Sequence, residues 1–246
     1  MEKGKQKGEF SSELYEKLYP DGVENHFWNF ARNRIIVKTI MKYRAEPILD
    51  IGAGRGVVTC FLSNAGLKID GVEIGKADPI PGCSAKIIYS RDVFSLIDKE
   101  KYRAVSLFDV IEHVEDQIDF LIKIRENFPN LSYIYITVPA RMELWSRFDE
   151  MQGHKLRYDL KTLKNHLESA GYELIYSRYF FHLLYLLIII FRKRRSERMV
   201  APKNFFALLF HKILGTYFLY EFSFFPSWMP GSSMIAVATP KLCIRA

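Results

Sequence analysis

The run Ile48-Leu49-Asp50-Ile51-Gly52-Ala53-Gly54-Arg55-Gly56 constrains this chain more than any other stretch. An apolar strand carrying an acid leads into a turn with glycine at every second position. Gly52, Gly54 and Gly56 let the backbone turn sharply and let a ligand lie against it without meeting a Cβ atom. Val57, Val58, Cys60, Phe61 and Leu62 then give the apolar side of a helix that starts at the turn. Strand, glycine turn and helix make a nucleotide-type binding corner. The spacing is not that of dinucleotide sites, because the third glycine comes one residue early and Val57 stands where that fingerprint wants glycine.

The rest of the pattern supplies the frame for this corner. Strands are expected near 47–51, 68–73, 86–90, 104–108 and 132–138, with helices between them. A sixth is expected at Tyr172–Tyr176 and a seventh at Ser233–Thr239, after the turn signal Pro230-Gly231. This alternation predicts an α/β fold with a doubly wound, mostly parallel seven-stranded sheet. Glu13–Tyr19 and His26–Tyr43 read as helices before the first strand, and Asp159–Ala170 as a helix closed by Gly171. The chain divides into N-terminal helices (1–45), an α/β core (46–177), an apolar helical insertion (178–232) and the last strand with its tail (233–246).

D-x-G-x-G-x-G resembles motif I of the class I S-adenosylmethionine (SAM) dependent methyltransferases, and further pieces follow in that family's order. Ile69-Asp70-Gly71-Val72-Glu73 resembles its second strand, Ser90-Arg91-Asp92-Val93 its adenine loop, and Ala104–Val114 its fourth strand with the start of the following helix. The resemblance implies a Rossmann-like fold, SAM as cofactor and methyl transfer as the activity. It implies that the turn from Gly52 through Ala53 and Gly54 to Gly56 passes under the methionine part. Asp50 would order the turn or hold the amino group through water. Glu73 would accept from the ribose, Ile74 would pack on the adenine, and Asp92 with the Val93 amide would meet its edge. Phe108 and Asp109 would close the other side. His26-Phe27-Trp28 with Arg32 resembles a stretch that helps cover the cofactor in one bacterial group, similar to the quinone-pathway methyltransferases. The same residues also suit a packing helix.

A hydroxyl acceptor needs a base near the crevice. The candidates are His154, in a G-H-x-x-x-Y stretch similar to one common in this group, and His113, after the fourth strand; both types of position also serve structural ends. Asp109, Glu112 and His113, at i, i+3 and i+4, are expected on one helix face. Acid-x-x-Glu-His resembles the metal-binding stretch of the small-RNA 2′-O-methyltransferases and the quinone-pathway O-methyltransferases. Related enzymes carry it without a metal, as a brace at the helix start. The expectation is no metal, with Mg²⁺ on these three residues as the alternative.

The connection between the sixth and seventh strands is long and apolar. Tyr179–Phe191 contains no charged residue but is shorter than the ~20 needed to span a bilayer. A basic run, Arg192 to Arg198, follows it, within a net charge of +7. The insertion reads either as a buried helical subdomain or as a cap lying in a membrane interface around a lipid-like substrate. Cys60, Cys83 and Cys243 are widely separated and odd in number, which argues for a reducing, cytoplasmic setting. The N-terminus lacks the pattern of a signal peptide.

The expected function is SAM-dependent methylation of a small, lipid-like or membrane-associated acceptor, at oxygen rather than carbon. The expected location is cytoplasmic, with peripheral contact to an anionic inner-membrane face through 178–232. A Mg-dependent RNA 2′-O-methyltransferase and a non-catalytic SAM-binding module are the alternatives. The basic run adjoins apolar sequence and no RNA-binding module is evident, which argues against nucleic acid as partner.

Overall fold

The computed structural model describes residues 19–76, 78–90, 92–95, 98–191 and 201–241. The predicted helix at Glu13–Tyr19 lies, but for Tyr19, outside them, as do the basic run from Arg192 to Arg198 and Cys243.

Seven strands form one sheet in the order β3-β2-β1-β4-β5-β7-β6. They are β1 (Ile48–Ile51), β2 (Ile69–Glu73), β3 (Ile87–Tyr89), β4 (Ala104–Phe108), β5 (Tyr133–Pro139), β6 (Tyr172–Phe180) and β7 (Ser233–Pro240). The first five are mutually parallel; β7 runs antiparallel between β5 and β6. Chain order reverses between β1 and β4, which opens a crevice at their carboxyl ends.

Helices cover both faces, so the central strands are buried on both sides and read as continuous apolar runs. Helix α1 (Phe27–Lys42) and α2 (Val57–Asn64) lie on one face, α3 (Gln117–Asn127) and α5 (Leu160–Ser169) on the other, and α4 (Arg147–Gln152) follows β5. The period of two in β7 sorts its side chains: Met234, Ala236 and Ala238 pack with Leu121, Ile124, Leu163 and Leu167. Ile235 and Val237 pack with Ile35, Ile36 and Ile40.

The insertion holds α6 (His182–Ile190) and α7 (Phe205–Phe224). One boundary differs from the sequence expectation. The sixth strand runs through Phe180, so Arg178, Tyr179 and Phe180 belong to the sheet and pair with β7. Within the insertion, α7 packs against the N-terminal helix. His211 on α7 accepts the Phe27 amide at 3.0 Å, one of the amides that α1 leaves without an intrahelical partner. Gly215 lets the helices close: a Cβ there would sit 2.5 Å from Phe30 Cδ1. Buried Glu221 accepts the His182 and Leu183 amides at 2.6 and 2.9 Å, so one carboxylate of α7 caps α6. Among the described residues no helix is long and apolar enough to cross a membrane.

The cysteine reading needs correction. Cys60 on α2 and Cys83 before β3 form a disulfide, their Cα atoms 5.0 Å apart. Separation of 23 residues in sequence hid a contact made by the βαβ crossover. The cysteine count therefore gives no support to a reducing compartment.

Candidate functional site

The glycine turn is built as its spacing demands. Gly52, Gly54 and Gly56 all have left-handed backbones, with φ of 81°, 56° and 77°. At Gly52 a Cβ would also stand 2.6 Å from Val110 Cγ2, so the turn is pressed against the segment after β4. Arg55 points away from it, bonding to the Tyr19 and Asp78 carbonyls and pairing with Asp21 at 2.8 Å.

Glu73, at the end of β2, is buried and accepts three backbone amides: Gly54 at 2.8 Å, Ile74 at 2.8 Å and Gly75 at 3.0 Å. The second strand's acid and the first strand's turn are thus one hydrogen-bonded unit. Asp50 lies behind the turn, 2 % exposed. It accepts from Thr59 at 2.6 Å and Ser106 at 2.8 Å, tying β1 to α2 and β4. Burial pushes its carboxyl up to about 6, against the pull of the two hydroxyls.

Asp92 is exposed and accepts the Phe94 amide at 3.1 Å, while Val93 packs against the core. Phe108 is buried at the end of β4. Asp109 follows with φ of 58° and pairs with Arg32 of α1 at 2.6 Å. Arg32 also donates to Thr137 at 3.1 Å and lies 4.8 Å over the Trp28 ring. The N-terminal helix therefore reaches the crevice through Arg32. Tyr19 reaches it too, its hydroxyl pushed up to about 12 by burial and then by Asp109.

Asp109, Glu112 and His113 do not share a helix face. Asp109 ends the strand in a left-handed conformation, Ile111–His113 is a single 3₁₀ turn, and α3 begins only at Gln117. The triple that the sequence offered as the alternative to no metal is therefore not the group that the fold brings together. Asp109 turns to Arg32, and His154, from the loop after α4, takes its place beside Glu112 and His113. The ligand atoms of these three lie within 4.8 Å of one another.

Glu112 is wholly buried, and neither of its carboxylate oxygens has a hydrogen-bond partner among the described residues. Burial, then the charge of Asp109, raises its carboxyl well above the usual range. A buried carboxylate without donors, beside two imidazoles, fits a divalent cation. Burial and the neighbouring His154 lower His113 to about 3, so it stays neutral and is a weak proton acceptor. Its ring meets that of His154 edge-on at 4.7 Å.

His154 is held by residues that the motifs did not reveal. Its Nδ1 lies 2.9 Å from Asp149, which is wholly buried and gripped by Arg157 through Nε at 2.8 Å and Nη2 at 3.1 Å. Burial alone would raise Asp149, but the His154 hydrogen bond and the Arg157 charge hold it well below the usual carboxylate range. A carboxylate at Nδ1 fixes the proton there and leaves Nε2 with its lone pair, the arrangement of an oriented base. An acid, a histidine and an arginine at i, i+5 and i+8 were the local signal. Tyr19 had none.

A family model described as "Methyltransferase domain" matches residues 27–177. No curated protein matches the chain. Solved structures share the fold. A SAM-dependent methyltransferase from Archaeoglobus fulgidus is 18% identical at a TM-score of 0.51, covering 84% of this chain and 94% of that one. Phosphoethanolamine N-methyltransferase 2 of Haemonchus contortus, in complex with SAM, is 15% identical at 0.54, covering 94% and 60%. Magnesium protoporphyrin IX methyltransferase from Synechocystis PCC 6803, with bound S-adenosylhomocysteine, is 11% identical at 0.50, covering 87% and 86%. With its motif region matched across more than half its length, the chain belongs to the methyltransferase domain family.

Proposed function

We propose that this methyltransferase binds SAM on the Gly52–Gly56 turn and moves the methyl group to the hydroxyl of a small, lipid-like acceptor. The observation that carries the reading is that one sheet edge joins the two requirements. The glycine turn with Glu73 lies at the carboxyl ends of β1 and β2, and at the carboxyl ends of β5 and β6 the apolar helix α6 meets the Met142–Leu144 turn. There Tyr185 donates to Glu143 at 3.0 Å. Glu73 keeps acceptor capacity beyond its three amides, which suits the ribose hydroxyls. Ile74, Asp92 and Val93 are assigned to the adenine, and Phe108 with Asp109 to its other side.

SAM supplies an activated methyl and its own leaving group, so the protein's work is binding and alignment. The acceptor oxygen forms the new C–O bond as the C–S bond breaks and sulfur keeps the electron pair. The hydroxyl proton passes to His154 Nε2, with Asp149 steadying the imidazolium. The test is labelled SAM offered with a membrane lipid extract, with RNA and with protein. Label in the organic phase is expected; label confined to RNA or protein would sink the lipid-like acceptor.

A second reading rests on the orphaned Glu112. A divalent cation on Glu112, His113 and His154 would polarise an acceptor hydroxyl, an RNA 2′-hydroxyl included. Activity that vanishes with EDTA and returns with Mg²⁺ or Mn²⁺ would favour it. Full activity after chelation would exclude it.

A further inference from the structure

Helix α7 has two unlike faces. Gly215, Phe218, Glu221 and Phe222 are buried against α1, β6 and α6. The other face is apolar and open: Phe206 is 81 % exposed, Phe210 62 %, Ile213 62 %, Tyr220 62 % and Phe224 78 %. Their spacing places them on one stripe. The end of α6 adds Ile190 and Phe191, and Trp228 follows α7 equally exposed. An apolar surface this continuous marks an interaction site.

Charge indicates what covers it. Along one shoulder of the stripe Lys38 donates to Ser223 at 3.0 Å. There a cavity of about 200 Å³ is lined by Lys38, Lys42, Arg178, Tyr176 and Phe222. No acid lines this cavity. The sequence joining α6 to α7 carries Arg192, Lys193, Arg194, Arg195, Arg198 and Lys203 against a single acid, Glu197. A second copy bound through the same face would bring a second set of like charges, from Lys38, Lys42 and Arg178, to one interface. An anionic surface would satisfy them. Aromatic side chains beside lysine and arginine suit the headgroup level of a bilayer, and no described helix can span one.

We propose that the outer face of α7, with the end of α6, lies in the interfacial layer of an anionic lipid bilayer, and that Lys38, Lys42 and Arg178 receive lipid phosphate. This docking is independent of the identity of the methyl acceptor. The test uses the full chain with vesicles of phosphatidylcholine alone and of phosphatidylcholine mixed with phosphatidylglycerol, in sedimentation and tryptophan fluorescence. Binding to the mixed vesicles is expected at about 0.05 M salt, weakening on the order of tenfold by about 0.5 M as the charges are screened. Phe206→Ser with Phe210→Ser should lower the partition coefficient on the order of 100-fold. Lys38→Glu with Lys42→Glu should lower it at least about tenfold on anionic vesicles only. Both variants should keep the wild-type circular dichroism and SAM affinity, which separates lost docking from lost folding. Wild-type protein that stays in the supernatant with every vesicle overturns the proposal. So does a dimer in light scattering that Phe206→Ser with Phe210→Ser dissociates, since the face would then belong to a second copy.

Discussion

Glu73 closes β2 and Glu112 follows β4, and both are buried, yet Glu73 accepts three backbone amides and Glu112 accepts no hydrogen bond from any described residue. The half of the site proposed for the cofactor is thus set by backbone hydrogen bonds. The half proposed for the acceptor keeps a carboxyl in an environment that disfavours its charge, beside a neutral His113 and an oriented His154. An acid whose partners are amides of its own turn is fixed in position. An acid without partners holds a proton or takes a cation. Substitutions in the two halves should therefore fail in different measurements.

The largest effect is expected in the acceptor half. His154→Ala should lower turnover on the order of 10²–10⁴-fold, the usual contribution of a positioned base, with SAM affinity unchanged. Asp149→Asn should reproduce part of the loss, because it removes the carboxylate that fixes the imidazole proton on Nδ1. Wild-type turnover in His154→Ala would reduce this half to a structural role and break the comparison.

In the cofactor half, Gly52→Ala should weaken SAM binding and lower stability by about 2–5 kcal/mol. The substitution puts a side chain at φ of 81°, and its Cβ lies 2.6 Å from Val110. Adding Val110→Ala should relieve the contact and leave the backbone strain, so thermal melts of the single and double variants separate the two costs. Glu73→Gln should be milder, weakening SAM by about 1–3 kcal/mol in calorimetry while turnover at saturating SAM stays near wild type. A turnover loss that saturating SAM does not restore would place Glu73 in the chemistry instead.

The same contrast explains what could be read from the sequence. The cofactor half was legible because its parts are local: glycine positions state backbone angles, and a period of two states which strand residues face which layer. All seven strands followed from such signals to within a residue at their ends, except the sixth, which runs on from Tyr176 to Phe180. In the proposed acceptor half the sequence offered Glu112, His113 and His154 but not their arrangement, because that geometry depends on chain segments that meet only in the fold. His154 joins Glu112 across α3, β5 and α4, Arg32 reaches Asp109 from before β1, and Cys60 meets Cys83 across a crossover. The Asp109–His113 spacing misled because a helical period was assumed where a left-handed residue and a 3₁₀ turn stand.

The smallest expected effect, and the most direct probe of the orphaned acid, is the pH dependence of stability in Glu112→Gln. Burial, then the charge of Asp109, raises the carboxyl of Glu112, so the folded chain holds this proton to higher pH than the unfolded chain does. The contribution of the neutral form is complete below the ordinary value of 4.5 and is lost as pH rises through the folded one. Glutamine is neutral throughout and nearly the same shape. Glu112→Gln should match the wild type in acid and exceed it by a margin that widens as pH rises toward 8, as denaturant melts at each pH would measure. Mg²⁺ or Mn²⁺ should close that gap from the wild-type side if the carboxylate is a ligand, and leave it open if Glu112 only holds a proton. A constant difference between the two proteins from pH 4 to pH 8 would mean that the acid has partners after all, and the contrast with Glu73 would fall.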